Sequence, residues 1–395
     1  MRDTSDLKER FGLNASIIAM LGMVVLIGMG EKMGERFLPI YILAIGGSTY
    51  AVGWLNAMDN FLSAIYSYIG GLLSDRFGYK NSLMGISFLS MIGFLIVIIF
   101  PSWQAVLIGS IFFISWTALS LPAILSLIAT TLKENKQTMG VSMHSLVRRI
   151  PMALGPLLGG FVINEYGIVL GARIAFAIAW LFAIIAELFI QKVVVETNER
   201  TPIDLKAGFT RMSKQLRILL ISDILIRFAE QIPYAFVVVY VMNTLGNSAV
   251  TFSLLTLIEM ITAMLIYIPV AFLSERIRSK TIVSITFFFF AIFPIVLSIS
   301  NSIWLLYIAF IIRGLKEFGE PTRKALIVRL SDPDIKASAY GTYYLIRDII
   351  VSVAALFSAS LWNMSPYINF GLASIFGFLG LFIFLRFGSD QRTLT

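Results

Sequence analysis

The chain has 395 residues, of which 58% are hydrophobic and 14% are charged, and its formal net charge is +8 at pH 7. A soluble protein exposes too much surface for so few charged residues, so this composition excludes a soluble enzyme and predicts residence in a membrane. The chain has no cysteine and one histidine, His144, which excludes disulfides, thiolate metal sites and any site that requires two histidines. We therefore expect no cofactor, no bound metal and no catalytic residue.

Apolar stretches recur along the whole chain, each near the roughly 20 residues needed to cross a bilayer. Their approximate bounds are 15–42, 49–73, 82–100, 104–132, 138–164, 170–192, 218–244, 249–274, 281–300, 302–330, 337–362 and 366–388. The pattern predicts an all-α integral membrane protein with twelve transmembrane helices in two six-helix bundles. The N-terminal bundle covers residues 1–192, a polar cytoplasmic linker covers 193–217, and the C-terminal bundle covers 218–395.

The connections between these spans alternate in charge. Lys and Arg collect in one set of connections, which includes residues 76–80, 133–136, 192–217, 276–280 and 329–336. The opposite set is almost free of charge, apart from Glu165 and Arg173 around the connection after the fifth span. Because positive charge stays on the cytoplasmic side, both termini are predicted to be cytoplasmic in a multi-pass cell-membrane protein. The net positive charge then requires no nucleic-acid partner.

A short segment occurs twice, 200 residues apart. Residues 71–80 and 271–280 share Leu, Ser, an acidic residue, Arg and Lys at matching offsets, and Asp59 and Glu259 keep the same spacing. Such self-similarity between two apolar halves is typical of transporters built from structural repeats. The first copy resembles the loop signature of the major facilitator superfamily, with Tyr79 in place of one of its usual basic residues. The resemblance implies two six-helix pseudo-repeats that rock against each other.

The same resemblance implies that the repeated loop is a gate. In the family, its acidic residue is thought to help hold one conformational state, and Asp75 matches that position. A carboxylate beside a helix N-terminus gains about 0.3–1 kcal/mol, and the alternative is a plain solvated turn. The expected gating residues are Gly71, Asp75, Arg76, Gly78, Lys80, Glu275 and Arg276.

A Gly-Pro motif lies in the fifth predicted span. The run of Gly155, Pro156, two leucines, Gly159 and Gly160 resembles the helix 5 signature of drug–proton antiporters, with Pro151 where a glycine usually leads. Gly155 and Gly159 have the small-xxx-small spacing that lets two helices approach closely, and Pro156 adds a kink. We expect all four residues to serve helix packing, and the resemblance favours export.

Charged residues inside the spans indicate a site near the middle of the membrane. They are Arg148, Arg149, Arg227, Glu230, Arg313, Lys316, Glu317, Arg347 and Asp348. A rise of 1.5 Å per residue places Arg148 and Arg347 about 15 Å deep in a hydrocarbon core of about 30 Å. Six basic residues against three acidic ones leave a positive surplus, which favours an anionic or carboxylate-bearing solute. The alternative is that Arg–acid pairs only lock the bundle.

Two further expectations concern these charges. Arg313, Glu317, Glu320 and Lys324 have a spacing that places them on one face of a single helix, and their segment resembles an Arg-containing signature that the family usually carries in helix 4. Proton exchange is expected at Glu230, Glu317 or Asp348.

The sequence therefore predicts a secondary active transporter of the major facilitator type, working by alternating access and coupling proton entry to export of a small organic solute. One alternative is an organic-anion importer or exchanger, and a second is a non-transporting membrane receptor or scaffold. The expected partners are a small-molecule substrate, protons and the lipid bilayer, and the expected oligomeric state is a monomer.

The topology can be tested by labelling, because the chain has no native cysteine. Single substitutions Ser102→Cys and Asn247→Cys should react with an impermeant thiol reagent added outside intact cells, whereas Lys206→Cys should react only after lysis. Reaction of Lys206→Cys from outside, with silence at the other two positions, would overturn the predicted orientation.

Overall fold

The structure is a computed structural model that describes residues 15–114, 116–121, 124, 144, 147–191, 209–274, 276–332 and 336–391. Over these ranges the chain is helical and forms no β-strand. Contacts group it into two units, one within Met1–Gly47 and Leu62–Thr201 and the other within Ser48–Phe61 and Pro202–Thr395. The predicted junction between bundles falls largely on residues 192–208, which lie outside the described ranges, so those domain bounds stay a prediction.

The helices are numbered in chain order. The first six are α1 (Ala15–Glu35), α2 (Leu38–Ala44), α3 (Thr49–Phe77), α4 (Tyr79–Ile99), α5 (Trp103–Phe113) and α6 (Arg149–Gln191). The remainder are α7 (Lys214–Val239), which ends in a π-turn at Tyr240–Thr244, then α8 (Ala249–Ser274), α9 (Ser279–Ser298), α10 (Ile303–Leu315), α11 (Glu320–Leu330), α12 (Lys336–Met364) and α13 (Pro366–Phe387).

Among the described residues, nine helical stretches are long and apolar enough to cross a membrane. One of them, α6, breaks at Gly167, where φ is 76° and the backbone is left-handed. The chain turns back there. The two sides of the turn are so close that a Cβ on Gly171 would lie 2.6 Å from the Cα of Ile163. The two arms of α6 correspond to the fifth and sixth predicted spans. The total of twelve spans stays a prediction.

The sequence repeat is also a repeat of local structure. Gly46 and Gly246 both adopt a positive φ, at 85° and 70°, in turns 200 residues apart. Ser102 and Ser302 keep the same offset, and each caps the helix that follows by accepting a hydrogen bond from a backbone N–H three residues on. The repeat thus extends beyond the loop in which it was recognised.

The repeated lysines make equivalent contacts in their own units. Lys80 Nζ donates to the carbonyl of Gln191 at the end of α6, and Lys280 Nζ donates to the carbonyl of Leu385 in α13, both at 2.8 Å. Each lysine therefore ties the start of one helix to the end of another, where a cation also complements the helix dipole.

Small residues bring α1 against both arms of α6. A Cβ on Gly159 would lie 2.2 Å from the carbonyl oxygen of Met33, and one on Gly155 would lie 2.8 Å from the Cβ of Lys32. On the second arm a Cβ on Gly30 would lie 2.8 Å from the Cα of Ala179. Fully or almost fully buried alanines continue this contact at residues 172, 175, 179, 183 and 186. Backbones this close leave no space for larger side chains, as is usual where helices pack in lipid.

The second unit packs by the same rule. A Cβ on Gly377 of α13 would lie 2.7 Å from the Cα of Ala291 in α9, and one on Gly380 would lie 2.8 Å from the carbonyl oxygen of Ser222 in α7. Many large apolar side chains point outward instead, among them Trp304 at 72% exposure. An apolar exterior of this extent belongs to a protein that faces lipid.

The glycine contact on α1 supplies a stability test. Gly159→Ala should destabilise the protein by about 1–3 kcal/mol, because the new methyl group forces backbone apart. Gly371→Ala on α13 is the matched control, since no heavy atom lies within 4 Å of a Cβ there. Unfolding of the purified chain in detergent would measure both, and equal stabilities of the two variants would contradict the close packing.

Candidate functional site

Buried and half-buried charges of the second unit form one continuous ion-pair network. Its members lie on α7, α8, α11 and α12 and at the end of α10, and they are Asp223, Arg227, Glu230, Glu259, Arg313, Lys316, Glu320, Arg323, Arg347 and Asp348. Basic and acidic side chains alternate along it. An array of this kind inside a membrane protein is costly unless each charge is neutralised by its neighbours.

Arg323 stands between two carboxylates. Its guanidinium binds Asp223 of α7 through Nη1, and its Nη2 lies 2.8 Å from Glu320 Oε2. Arg323 and Asp223 are each 1% exposed. The hydroxyl of Tyr343 on α12 donates to Asp223 Oδ2 at 3.0 Å. Three helices thus meet at this pair.

Arg347 extends the network along α12. Its Nε lies 2.7 Å from Asp348 Oδ1, and its Nη1 lies 3.5 Å from Asp223 Oδ2. The guanidinium also sits 4.2 Å from the ring centroid of Tyr344, close enough for a cation–π contact.

The other arm of the network runs from α7 to α8 and α10. Glu230 binds Arg227, and it lies 2.7 Å from Lys316 Nζ. Glu259 lies 3.6 Å from that same ammonium and 3.4 Å from Arg313 Nε. The aromatic rings of residues 234, 293 and 310 surround the Arg313 guanidinium at 5.3–5.8 Å.

These ten side chains are five basic and five acidic, and the half-exposed Lys324 adds a cation at the rim, 3.6 Å from Glu320 Oε1. The surplus of positive charge expected from the sequence is therefore absent among these ten. The count from the sequence differs because it included Arg148, Arg149 and Glu317, which are not among these ten, and did not include Asp223, Glu259, Glu320 and Arg323. Glu317, next to Lys316 in the chain, accepts a hydrogen bond from Tyr267 at 2.8 Å.

The tenth predicted span is broken beside this network. α10 ends at Leu315 and α11 begins at Glu320, and between them the backbone makes tighter i→i−3 hydrogen bonds. Pro321 has no N–H, and the Gly319 N–H donates to Thr286 Oγ1 instead of continuing the helix. The structure overturns the prediction of one continuous charged face over Arg313, Glu317, Glu320 and Lys324.

The first unit holds a separate, narrow pocket, which we call the α1–α6 pocket, with a free volume of about 10 Å³, roughly the space of one water molecule. Its polar lining residues are Glu31, Lys32, Thr117, Ser120, His144 and Arg148. Trp116, Leu121 and Met152 supply apolar surface. Glu31 is 1% exposed and its carboxylate lies 3.1 Å from Lys32 Nζ. A concave apolar surface with a few convergent polar groups is the usual form of a small-molecule site.

The nine predicted site residues do not form a single site. Arg227, Glu230, Arg313, Lys316, Arg347 and Asp348 belong to the network, and Glu317 lies close to it. Arg148 lines the α1–α6 pocket, while Arg149 is buried at the start of α6. Sequence reasoning missed Arg323, although its spacing of three from Glu320 is the spacing of a helical ion pair.

The expected gating loop is described in part. Gly78 joins α3 to α4 with φ at 77°, and the Arg76 guanidinium lies 5.3 Å from the ring centroid of Phe77. Arg276 follows α8, and its N–H donates to the carbonyl of Leu273 at 3.0 Å. Glu275 and the surroundings of Gly71 and Asp75 lie outside the described part of the structure. The gating role stays a prediction.

Comparisons with known proteins agree along nearly the whole chain. The family model described as Major Facilitator Superfamily matches twice, at residues 20–227 and 219–394. An uncharacterized MFS-type transporter of Methanocaldococcus jannaschii is 22% identical over 376 residues, which is 90% of this chain and 91% of the relative. The fold resembles the crystal structure of the nucleoside transporter NupG, with a TM-score of 0.78 and 13% identity over 94% of this chain and 99% of that one. It also resembles a D-xylose-proton symporter, with a TM-score of 0.71 and 15% identity over 95% and 98% of the two chains.

Proposed function

Since this chain belongs to the Major Facilitator Superfamily, we propose that it is a secondary active transporter that exports a small organic solute in exchange for protons. Family membership confirms the resemblance first recognised in the loop signature, and it agrees with a multi-pass membrane protein that handles a small molecule. Proton coupling, the export direction and the class of solute go beyond family membership, and they are what we propose. The observation that carries it is the balanced ion-pair network beside a broken helix.

The network supports coupling to protons because protonation of one of its acids would leave the neighbouring cations without a matching negative charge. Glu230 is held by Arg227 and Lys316 together. A proton on Glu230 would leave two buried cations with one fewer anion, which is costly in a medium of low dielectric. The cost falls if a cation moves toward water or if an anionic group arrives. Protonation of Glu230 would then favour a different arrangement of the charges around it.

The break between α10 and α11 is the part of the backbone that we expect this charge change to move. Lys316 is the first residue of the tight turn 316–319 that follows α10, and Glu320 is the first residue of α11. Broken helices at membrane depth occur in transporters where the backbone borders a cavity. We expect protonation to shift α11 relative to α10 about this segment.

The α1–α6 pocket supports a solute that carries a carboxylate and an apolar body. Arg148 and His144 provide donors at one wall, and Trp116 provides a flat aromatic surface. Export rests on the Gly-Pro motif in the first arm of α6. The competing function is an organic-anion importer or exchanger, which the same arginine would serve equally well.

The substrate site can be tested with one arginine and a matched control. Arg148→Gln should abolish the thermal stabilisation that a carboxylate-bearing solute gives the purified protein, and should abolish its flux in proteoliposomes with an imposed proton gradient. Arg173→Gln should keep both, since Arg173 Nε donates to the Ile98 carbonyl at 2.9 Å and does not line the pocket.

The same assay distinguishes the competing functions. Solute flux toward the acidic side, opposite to the proton flux, supports the proposed antiport, whereas solute flux away from the acidic side would show symport. Gradient-independent exchange of two anions would favour the exchanger. If Arg148→Gln binds and transports as the unaltered protein does, the pocket assignment is wrong.

A further inference from the structure

The first unit carries a large apolar groove that the proposed transport function does not use. It lies between α3 and α4, has a free volume of about 460 Å³, and is lined by Ile69, Leu73 and Phe77 on one side and Ser82, Gly85 and Leu89 on the other. Gly85 leaves it open, because no heavy atom lies within 4 Å of a Cβ built there. We call this feature the α3–α4 groove.

The dimensions of the groove match one leaflet of a bilayer. The stretch from Ile69 to Phe77 rises about 12 Å along α3, at 1.5 Å per residue. Half of a hydrocarbon core of about 30 Å is about 15 Å. Phe88, next to Gly85 along α4, is 63% exposed, so this side of the helix faces the surroundings of the protein. An acyl chain is the apolar molecule that such a surface meets in a membrane.

One end of the groove is polar and positively charged. The exposed Arg76 sits over the ring of Phe77, with its guanidinium 5.3 Å from the ring centroid, and Phe77 itself lines the groove. Lys80 gives one of its three ammonium hydrogens to Gln191 and keeps others to donate. By the charge pattern of the connections, this end is predicted to face the cytoplasm, where the leaflet is anionic.

Two further observations at that end indicate an anionic headgroup. Ser82 is 4% exposed and lines the groove, yet its hydroxyl has no hydrogen-bond partner among the described residues. α4 begins at Tyr79, and a helix N-terminus favours phosphate oxygens. At the equivalent helix end in the second unit, the Lys280 N–H donates to the carboxylate of Asp390. In the second unit, the N-terminus of this helix therefore holds a carboxylate.

We propose that the α3–α4 groove binds one anionic phospholipid, with an acyl chain along Leu73 and Gly85 and its phosphate at the turn that joins α3 to α4. The apolar lining fixes the chain, and Arg76 and Lys80 select the negative headgroup over a zwitterionic one. The site is separate from the α1–α6 pocket and from the ion-pair network, and its headgroup end overlaps the predicted gating loop at Arg76, Gly78 and Lys80.

Native mass spectrometry of the full-length chain in detergent tests the proposal. Dioleoylphosphatidylglycerol and dioleoylphosphatidylcholine are titrated separately, and the first should bind more tightly. Gly85→Trp should weaken phosphatidylglycerol binding by about tenfold, which corresponds to the lost burial of roughly two methylene groups. Gly371→Trp is the matched control on α13, where a new side chain also meets open space, and it should bind as the unaltered protein does.

Arg76→Gln separates the headgroup from the acyl chain. It should weaken phosphatidylglycerol binding by about fivefold and leave phosphatidylcholine binding unchanged, as expected for one cation at an anionic surface. Gly85→Leu, a smaller change in the same direction, guards against misfolding of the tryptophan variant, and size-exclusion chromatography checks both.

Several results would overturn the site. These are an unchanged affinity in both Gly85 variants, an equal loss in Gly371→Trp, or equal binding of the two lipids by the unaltered protein. A shift of Gly85→Trp from dimer to monomer, with lipid binding retained, would show that a second copy of the chain covers the groove instead.

Discussion

A buried guanidinium between two carboxylates is the interaction on which the second unit depends. Arg323 cannot reach water, so Asp223 and Glu320 must neutralise it, and Asp223 in turn requires the hydroxyl of Tyr343. These contacts fix the rotation of α7, α11 and α12 about their axes, because a turn of any of these helices would separate buried charges that neutralise each other. The broken segment after α10 then follows, since a continuous helix would carry Glu320 to a different face.

The same balance explains how a transporter could use charges that are costly to bury. A neutral network is stable as long as every member is ionised, and it changes its preferred arrangement when one acid gains a proton. Glu230 is suited to that role because it joins Arg227 of its own helix to Lys316 beside the break. The α1–α6 pocket lies in the other unit, so in this account solute and proton are bound by different parts of the chain.

The helical character of the chain and one close helix contact could be predicted from the sequence, and the pairing of charges could not. Apolar length predicted the spans, and the small-residue spacing at Gly155 and Gly159 is followed by close backbone contact in the structure. Which acid pairs with which base depends on how each helix is rotated, and the sequence does not show this. For that reason Arg323 was not among the predicted site residues, and the sequence count gave more basic than acidic residues. The break before Pro321 was also missed, because a proline near the end of a predicted span reads equally well as its boundary.

The most direct test is a double-mutant cycle on Asp223 and Arg323, measured as the free energy of unfolding in detergent. Asp223→Asn alone should cost about 3–5 kcal/mol, since it leaves a buried cation short of its anion. Adding Arg323→Gln should recover a large part of that loss, so that the double variant is more stable than Asp223→Asn alone. If the two losses simply add, the pair is not coupled, and the network does not hold the second unit together.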